Sequence, residues 1–295
     1  MNIISKVSNV RLDKYLTNEL DMTRSNIINN IKNGNILVNG KMVKSGYNLK
    51  ENDEISVNIE YEDNKLEAEN IPLDIVYEDE YLIVVNKKSG MVVHPGAGNK
   101  KNTLVNALIY HTNNNLSNIN GCTRPGIVHR IDKDTSGLLL ISKNNDVHNI
   151  IANDFKNKKI LRKYIALVQG VIKEENGKII APIGRSENDR KKMCVKENGK
   201  KAITNFKVIA RYKNSTLIEC ILETGRTHQI RVHMSYIKHP IINDAVYGGT
   251  IINDYGQMLH AKYIGFNHPV KNKFLEFEKE PEEEFLNILE MFKNS

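Results

Sequence analysis

The sequence predicts an α+β protein in which a small unit precedes a larger domain with a mixed, mainly antiparallel sheet. After residue 72, apolar runs of strand length outnumber helical patterns and follow one another closely, as antiparallel strands do. The length of 295 residues allows one large and one small domain. Hydrophobic residues make up 40% and charged residues 26% of the chain, a composition that excludes intrinsic disorder.

Residues 1–60 show helical spacing followed by a hairpin signal. Two helices are indicated by apolar residues on one face, namely Leu12, Tyr15, Leu16 and Leu20, then Ile27, Ile28 and Ile31. We expect Thr23 to cap the second helix and Gly34 to end it. Asn39-Gly40 predicts a two-residue turn, because both positions of such a turn favour positive φ. The alternation in residues 54–59 predicts a closing strand.

This unit is a candidate for RNA binding because of its basic residues. Residues 11–50 contain seven Lys or Arg against three Asp or Glu. We select five of the basic residues as candidate RNA contacts: Arg11, Lys14, Arg24, Lys32 and Lys41. A basic face on paired helices can bind RNA phosphates, although charge alone is more typical of a solvated surface.

Residues 61–72 are polar, acidic and aperiodic, which predicts a linker before a second domain at 73–295. The strand-like runs of this domain lie at residues 75–77, 81–85, 91–93, 138–141, 164–168, 206–209 and 216–222. Helical patterns lie at residues 103–110, 147–158 and 281–292. Residues 185–201 are strongly basic and are predicted to form a flexible polar loop that contacts an RNA backbone or remains solvated.

The first chemical motif is His-Arg-Ile-Asp-Lys-Asp-Thr-Ser-Gly at residues 129–137, directly before an apolar strand. Burying so many polar groups costs free energy unless they are paired, so the motif predicts the wall of a site. A calcium loop is excluded, because its twelfth position needs a carboxylate and Lys143 stands there. The spacing alone leaves open that Asp132 only caps a turn.

Two further motifs carry arginine, histidine and tyrosine. Residues 224–234 contain Arg231 between two histidines five positions apart, and neighbouring arginines oppose a divalent cation, so we predict no metal site. The arginines are suited to holding a carboxylate or phosphates, or to starting a basic RNA-binding helix. Tyr164, in Arg-Lys-Tyr, is a candidate for stacking on a base, with simple packing as the alternative.

Together these motifs resemble the RluA/RluD-type pseudouridine synthases. The three motifs stand in the order expected of that family, and Val-His-Pro-Gly at 93–96 and Asp-Ala-Val-Tyr at 244–247 resemble its further markers. Residues 11–58 resemble an S4 (αL-type) RNA-binding domain. The chain departs from the family pattern at Ile131, where Leu is usual, and at Lys88, where Pro is usual.

The resemblance implies the chemistry and the role of each residue. A uridine in RNA is flipped out, its N-glycosidic bond breaks, the base rotates, and C5 joins the ribose. Asp132 is implied as the essential carboxylate, attacking the sugar or removing a ribose proton. Tyr164 would stack on the uracil, Arg231 would pair with Asp132 and keep it ionised, and Arg130 would fill the gap or hold a phosphate.

The remaining expectations concern partners and location. The resemblance implies no cofactor, and the S4 layout suggests structured RNA of the large ribosomal subunit. No apolar run has membrane-spanning length, no secretory signal is present, and three widely spaced cysteines form no disulfide framework. We therefore expect a cytoplasmic monomer without membrane contact. The alternative function is a non-catalytic RNA-binding or ribosome-assembly factor on the same fold.

Overall fold

A computed structural model describes residues 1–20, 22, 24–59, 66–96, 98–121, 123–189 and 191–294. The chain forms two compact units, Met1–Leu66 with Gly121–Thr123 and Glu67–Asn120 with Arg124–Ser295. Some sequence predictions lie outside the described residues: the cap Thr23, Cys122, Arg190, and residues 61–65 of the linker.

The first unit packs two helices against a small antiparallel sheet. Its elements are β1 (Asn2–Ile4), α1 (Leu12–Glu19), α2 (Arg24–Lys32), β2 (Ile36–Val38) and β3 (Glu54–Val57), with strand order β1–β3–β2. Leu12, Leu16, Ile27 and Ile31 are fully buried in its core, as their helical spacing predicts. Gly34 has a φ of 78°, the left-handed conformation that commonly ends a helix.

The Asn39-Gly40 turn forms, but the strand expected after it does not. Asn39 and Gly40 have φ values of 50° and 73°, and Val38 bridges Lys41 across the turn. Beyond Lys41 the chain leaves the sheet, and β2 pairs with β3 instead, with Ile36 opposite Val57.

The second unit contains eleven of the described strands and four of the described helices. The strands are β4 (Asp74–Glu78), β5 (Leu82–Lys87), β6 (Ser136–Ser142), β7 (Leu161–Gln169), β8 (Asn176–Ile180), β9 (Ile183–Arg185), β10 (Met193–Val195), β11 (Ile203–Arg211), β12 (Ser215–Leu222), β13 (Leu259–Asn267) and β14 (Phe274–Glu278). The helices are α3 (Leu104–His111), α4 (Asn145–Lys156), α5 (Gln229–Tyr236) and α6 (Glu283–Lys293).

Nine of the described strands form one sheet, and this confirms the predicted fold class. The order is β4–β5–β6–β13–β7–β12–β11–β8, with β14 paired to β13. All pairs are antiparallel except β6 with β13. The seven residues of β6 are all buried, as expected of a strand in the middle of a sheet.

Two sequence predictions in this unit are wrong. Residues 91–93 do not form a strand, because the carbonyls of Val92 and Val93 accept instead from the first turn of α3, where Leu104 N and Val105 N are the donors. The basic stretch 185–201 is not simply a flexible loop, since its residues 193–195 form β10 and pair with β9, which ends where the stretch begins. Met193 and Val195 of β10 pack against a cluster that includes Ile183 of β9 and Val232 of α5, which explains the order.

Candidate active site

Four predicted site residues line one cavity of the second unit. Asp132, Tyr164, Arg231 and Arg130 all lie on the wall of a cavity of about 530 Å³. This volume is within the ordinary range of small-molecule sites. The fold therefore brings together side chains that lie as far as 101 positions apart in the sequence.

His129 fixes the segment that leads to Asp132. Its Nε2 accepts a hydrogen bond of 2.9 Å from the backbone N–H of Leu140 in β6, and its ring lies 4.5 Å from that of Phe155. Burial lowers the pKa of His129 to about 3, so the ring is neutral and able to accept at physiological pH. The histidine of the first motif thus anchors the loop before β6 to that strand.

Arg231 forms the expected ion pair with Asp132. Arg231 lies in the first turn of α5, and its Nη1 is 2.9 Å from Oδ2 of Asp132. The side chains of Arg231 and Asp132 are 7% and 17% exposed, so water screens this pair only partly. Asp132 consequently carries its carboxylate at the cavity wall beside a fixed positive charge.

Asp244 is a second partner of Arg231, and sequence reasoning missed it. Arg231 Nε and Nη2 donate to its two carboxylate oxygens at 2.7 and 2.9 Å, and the Asp244 side chain is fully buried. Burial opposes the charge on Arg231, but the two carboxylates outweigh burial and raise the pKa of Arg231. The only sequence signal for Asp244 was the Asp-Ala-Val-Tyr run that resembles a family marker, and this run does not indicate that Asp244 binds Arg231.

His228 and Tyr247 complete the surroundings of the ion pair. His228, with a φ of 55°, immediately precedes α5, and its Nε2 lies 3.7 Å from Oδ1 of Asp132. Its Nδ1 lies 2.7 Å from the hydroxyl of Tyr247, and the Arg231 guanidinium lies 5.0 Å from the centre of that ring. Burial lowers the pKa of His228, which favours a neutral ring beside the carboxylate.

Tyr164 and Arg162 project from the same face of β7 into the cavity. Tyr164 is buried, and burial raises the pKa of its hydroxyl, with the Arg162 guanidinium opposing that effect. The Arg162 guanidinium lies 5.1 Å from the centre of the Phe155 ring. An aromatic ring and a cation on one wall are suited to a planar base and its phosphate.

Arg130 differs from the other three cavity residues because it is exposed. Its Nη1 lies 3.5 Å from Nε2 of His94, at the limit of a hydrogen bond. It lies two positions before Asp132 and is free to reach a ligand that enters the cavity.

The five candidate RNA contacts of the first unit differ in how they are held. Arg11 and Arg24 both bind the fully buried carboxylate of Asp13, at 2.9 and 2.8 Å, while their own side chains are about half exposed. Lys14, Lys32 and Lys41 are exposed.

Within the described residues there is no group of three or more His, Cys, Asp or Glu side chains placed to hold a metal ion. The described helices include none with the length and apolar character that crossing a membrane requires.

Comparisons with protein families match both units. A family model described as RNA pseudouridylate synthase matches residues 81–236, and an S4 domain model matches residues 10–55.

Curated relatives and solved structures agree with these matches. An uncharacterized RNA pseudouridine synthase of Bacillus subtilis is 47% identical, over 95% of this chain and 93% of its own. A ribosomal large subunit pseudouridine synthase D of Zymomonas mobilis is 48% identical, over 76% of this chain and 74% of its own. The structure of human RNA pseudouridylate synthase domain containing 1 superimposes with a TM-score of 0.60 at 26% identity, covering 72% and 85% of the two chains.

Proposed function

The chain belongs to the RNA pseudouridylate synthase family and carries an S4 domain, and on that premise we propose that it converts specific uridines of large-subunit ribosomal RNA to pseudouridine. The relatives named ribosomal large subunit pseudouridine synthase D support this choice of substrate. The expected partner is a structured segment of that RNA. The protein acts in the cytoplasm as a monomer.

The observation that carries the proposal is the Asp132–Arg231 ion pair on the wall of the cavity. The guanidinium of Arg231 holds the carboxylate of Asp132 in one orientation and compensates its charge in a partly dry site. Two opposed carboxylates at the sugar would suit a glycosidase. Here Asp244 is fully buried behind Arg231, and Glu223, the other carboxylate on the cavity wall, is paired with Lys178 at 2.6 Å. Asp132 is therefore the carboxylate that Arg231 presents to a ligand.

Asp132 acts on the ribose of the flipped nucleotide. Attack of its carboxylate on C1′, or removal of a ribose proton, breaks the bond between C1′ and N1 of uracil. The released uracil rotates within the cavity, and its C5 forms the new bond to C1′. In the first course this bond displaces the Asp132 carboxylate from C1′, and in the second the ribose regains the proton that Asp132 had removed. The C5 proton then leaves and N1 becomes protonated, so the product is an isomer of the substrate.

Tyr164 and Arg130 hold the flipped nucleotide. The Tyr164 ring stacks on the uracil, since stacking on aromatic side chains is how proteins bind unstacked bases. A base inside an RNA helix must leave its stack before it can react, and this costs a few kcal/mol. Arg130, which is exposed beside the cavity, occupies the gap in the stack or binds the phosphate of the flipped nucleotide.

The first unit contributes binding affinity for the RNA. Arg11, Lys14, Arg24, Lys32 and Lys41 contact phosphates, so their contribution falls as the salt concentration rises. This contribution affects the affinity for RNA and not the chemical step.

The test compares Asp132→Asn with the wild-type protein. We expect the variant to form no pseudouridine while its dissociation constant for substrate RNA stays within about threefold, because Asn has the same shape and lacks only the charge. Pseudouridine mapping of ribosomal RNA, from cells that lack the protein and from the same cells supplied with it, identifies the target. Turnover by the variant would contradict the role of Asp132. An unchanged map would contradict the substrate.

A further inference from the structure

Lys87, the last residue of β5, is a buried lysine that the proposed reaction does not use. The residue is 1% exposed. Its Nζ donates to the carbonyl oxygens of Lys88, Met91 and Lys133 at 2.7, 2.8 and 2.8 Å. An ammonium group has three protons to donate, and these carbonyls accept all three. No ion pair with a carboxylate accompanies these bonds in the described part of the chain.

The bond to Lys133 ties Lys87 to the turn that presents Asp132. Lys133 directly follows Asp132, and the turn is closed by Thr135 N donating to Asp132 O at 3.2 Å. The next carbonyl of the turn, that of Asp134, accepts from the hydroxyl of Ser89 at 3.0 Å. Two consecutive carbonyls after Asp132 are therefore bound by side chains from the end of β5 and the residues directly after it.

The strand register explains why this segment reaches the turn. Lys87 lies opposite Gly137 in the β5–β6 pair, and the Asp132 turn lies immediately before β6. Pairing determines where β6 begins, but it does not determine the direction of the carbonyls that precede it. The direction of these carbonyls determines the path of the backbone at Asp132 and hence the orientation of the Asp132 carboxylate.

We propose that Lys87 and Ser89 are positioning residues that hold the Asp132 carboxylate in line with Arg231 by binding the carbonyls of the turn after it. The proposal rests on the function proposed above for Asp132. An apolar side chain of similar volume would fill the site at lower desolvation cost, so packing alone does not account for a lysine.

The charge state of Lys87 fits this role. Burial lowers the pKa of Lys87 to about 7, while the carboxylates of Asp134, Glu282 and Asp132 favour the charged form. A neutral amine would offer only two protons to the three carbonyls. The ammonium form thus makes all three bonds, and the one to Lys133 holds the turn.

Two variants and a matched control test the proposal. Lys87→Met keeps an unbranched side chain, one atom shorter, and removes all three donors, and Ser89→Ala removes one hydroxyl. Lys88→Met is the control, because Lys88 is exposed and the variant removes one charge without altering the backbone carbonyl.

The measurement is the single-turnover rate constant at saturating RNA, with the reaction amplitude, the RNA dissociation constant and the melting temperature. We expect Lys87→Met to lower the rate constant roughly tenfold or more and Ser89→Ala about threefold, because small misplacements of a reacting group are costly. Affinity and amplitude should stay near their wild-type values, and the rate constant of Lys88→Met should be unchanged.

A purely structural role gives a different pattern. It would lower the melting temperature or the amplitude of Lys87→Met and leave the rate constant of the folded molecules unchanged, and that result would overturn the proposal. If Lys87→Met does not fold, the Ser89→Ala variant tests the proposal instead. A wild-type rate constant in Ser89→Ala would overturn the proposal. Wild-type protein that makes no pseudouridine would instead contradict the proposed function, and the positioning role with it.

Discussion

At the scale of single residues, the site depends on one guanidinium shared by two carboxylates. Arg231 uses Nη1 for Asp132 and both Nε and Nη2 for Asp244. The bidentate bond to Asp244 fixes the plane of the guanidinium, so that Nη1 has a defined direction towards Asp132. Asp244 therefore orients Arg231, and Arg231 orients Asp132.

This arrangement predicts unequal effects of two substitutions. Arg231→Leu leaves two neighbouring carboxylates without a cation and should destabilise the protein by roughly 3 kcal/mol or more and abolish activity. Asp244→Asn keeps the Arg231–Asp132 pair and should cost about 1–3 kcal/mol, with a partial loss of rate. Thermal unfolding and single-turnover assays of both variants check the order. An equal loss of stability would show that Asp244 and Asp132 do not share Arg231 as described.

Single residues also show which parts of the site can be predicted from the sequence. Asp132 and Arg231 each belong to a dense polar motif, and the resemblance of those motifs to a known family implied that the two residues pair. Asp244 and Lys87 were not predictable in this way, because one is a lone acid 13 positions from its partner and the other is the last residue of an apolar strand. Their importance comes from burial and from contacts across the sheet, which no local pattern encodes.

At the scale of elements, the parallel contact between β6 and β13 depends on Gly137. Gly137 has a φ of 114°, and it pairs with Ala261 of β13. A Cβ added at this position would lie 2.4 Å from the carbonyl oxygen of Ala261. Both the backbone conformation and the close approach of the two strands therefore require glycine.

Gly137→Ala should destabilise the second unit by about 2 kcal/mol or more, because strain and a backbone clash act together. Thermal unfolding of the variant measures this cost. Gly90→Ala is a useful control, since Gly90 also has positive φ, 81°, but nothing lies within 4 Å of an added Cβ. A loss at Gly137 no larger than at Gly90 would mean that β6 and β13 adjust to the clash.

The element predictions succeeded where the pattern was local. β5, β6 and β7 are continuous apolar runs, and α1 and α2 have clear helical spacing. β13 was not predicted, although it lies between β6 and β7, because Lys262 and Tyr263 interrupt its apolar run. Residues 91–93 have strand-like composition, but Val92 and Val93 form hydrogen bonds with α3. Tertiary packing therefore overrides the local propensity of this segment.

At the scale of the whole molecule, the two units differ in their titratable groups. All nine histidines lie at or after residue 94, and residues 1–66 contain none. In the second unit, burial lowers the pKa of His129 to about 3 and of His94 and His260 to about 4. In the first unit, hydrogen bonds from Arg11 and Arg24 hold the pKa of Asp13 at about 2, against the effect of burial.

These shifts predict that acid destabilises the two units in different pH windows. Below pH 6.5 the unfolded chain protonates His129, His94 and His260, whereas the folded second unit resists protonation until about pH 4 to 3. The stability of the second unit is therefore fully present above pH 6.5 and falls as the pH drops towards 4. Asp13 contributes stability that is fully present above pH 3.8 and is lost towards pH 2, so the first unit should remain unaffected until about pH 4.

Hydrogen exchange, corrected for intrinsic rates and followed separately in each unit from pH 7 to pH 4, measures this difference. Protection should fall in the second unit and persist in the first. His260→Gln removes one of the titrating histidines of the second unit. Since the slope of stability against pH is proportional to the difference in bound protons, the slope of this variant should be shallower. Parallel loss of protection in both units, or an unchanged slope in His260→Gln, would show that these buried histidines do not govern the acid response.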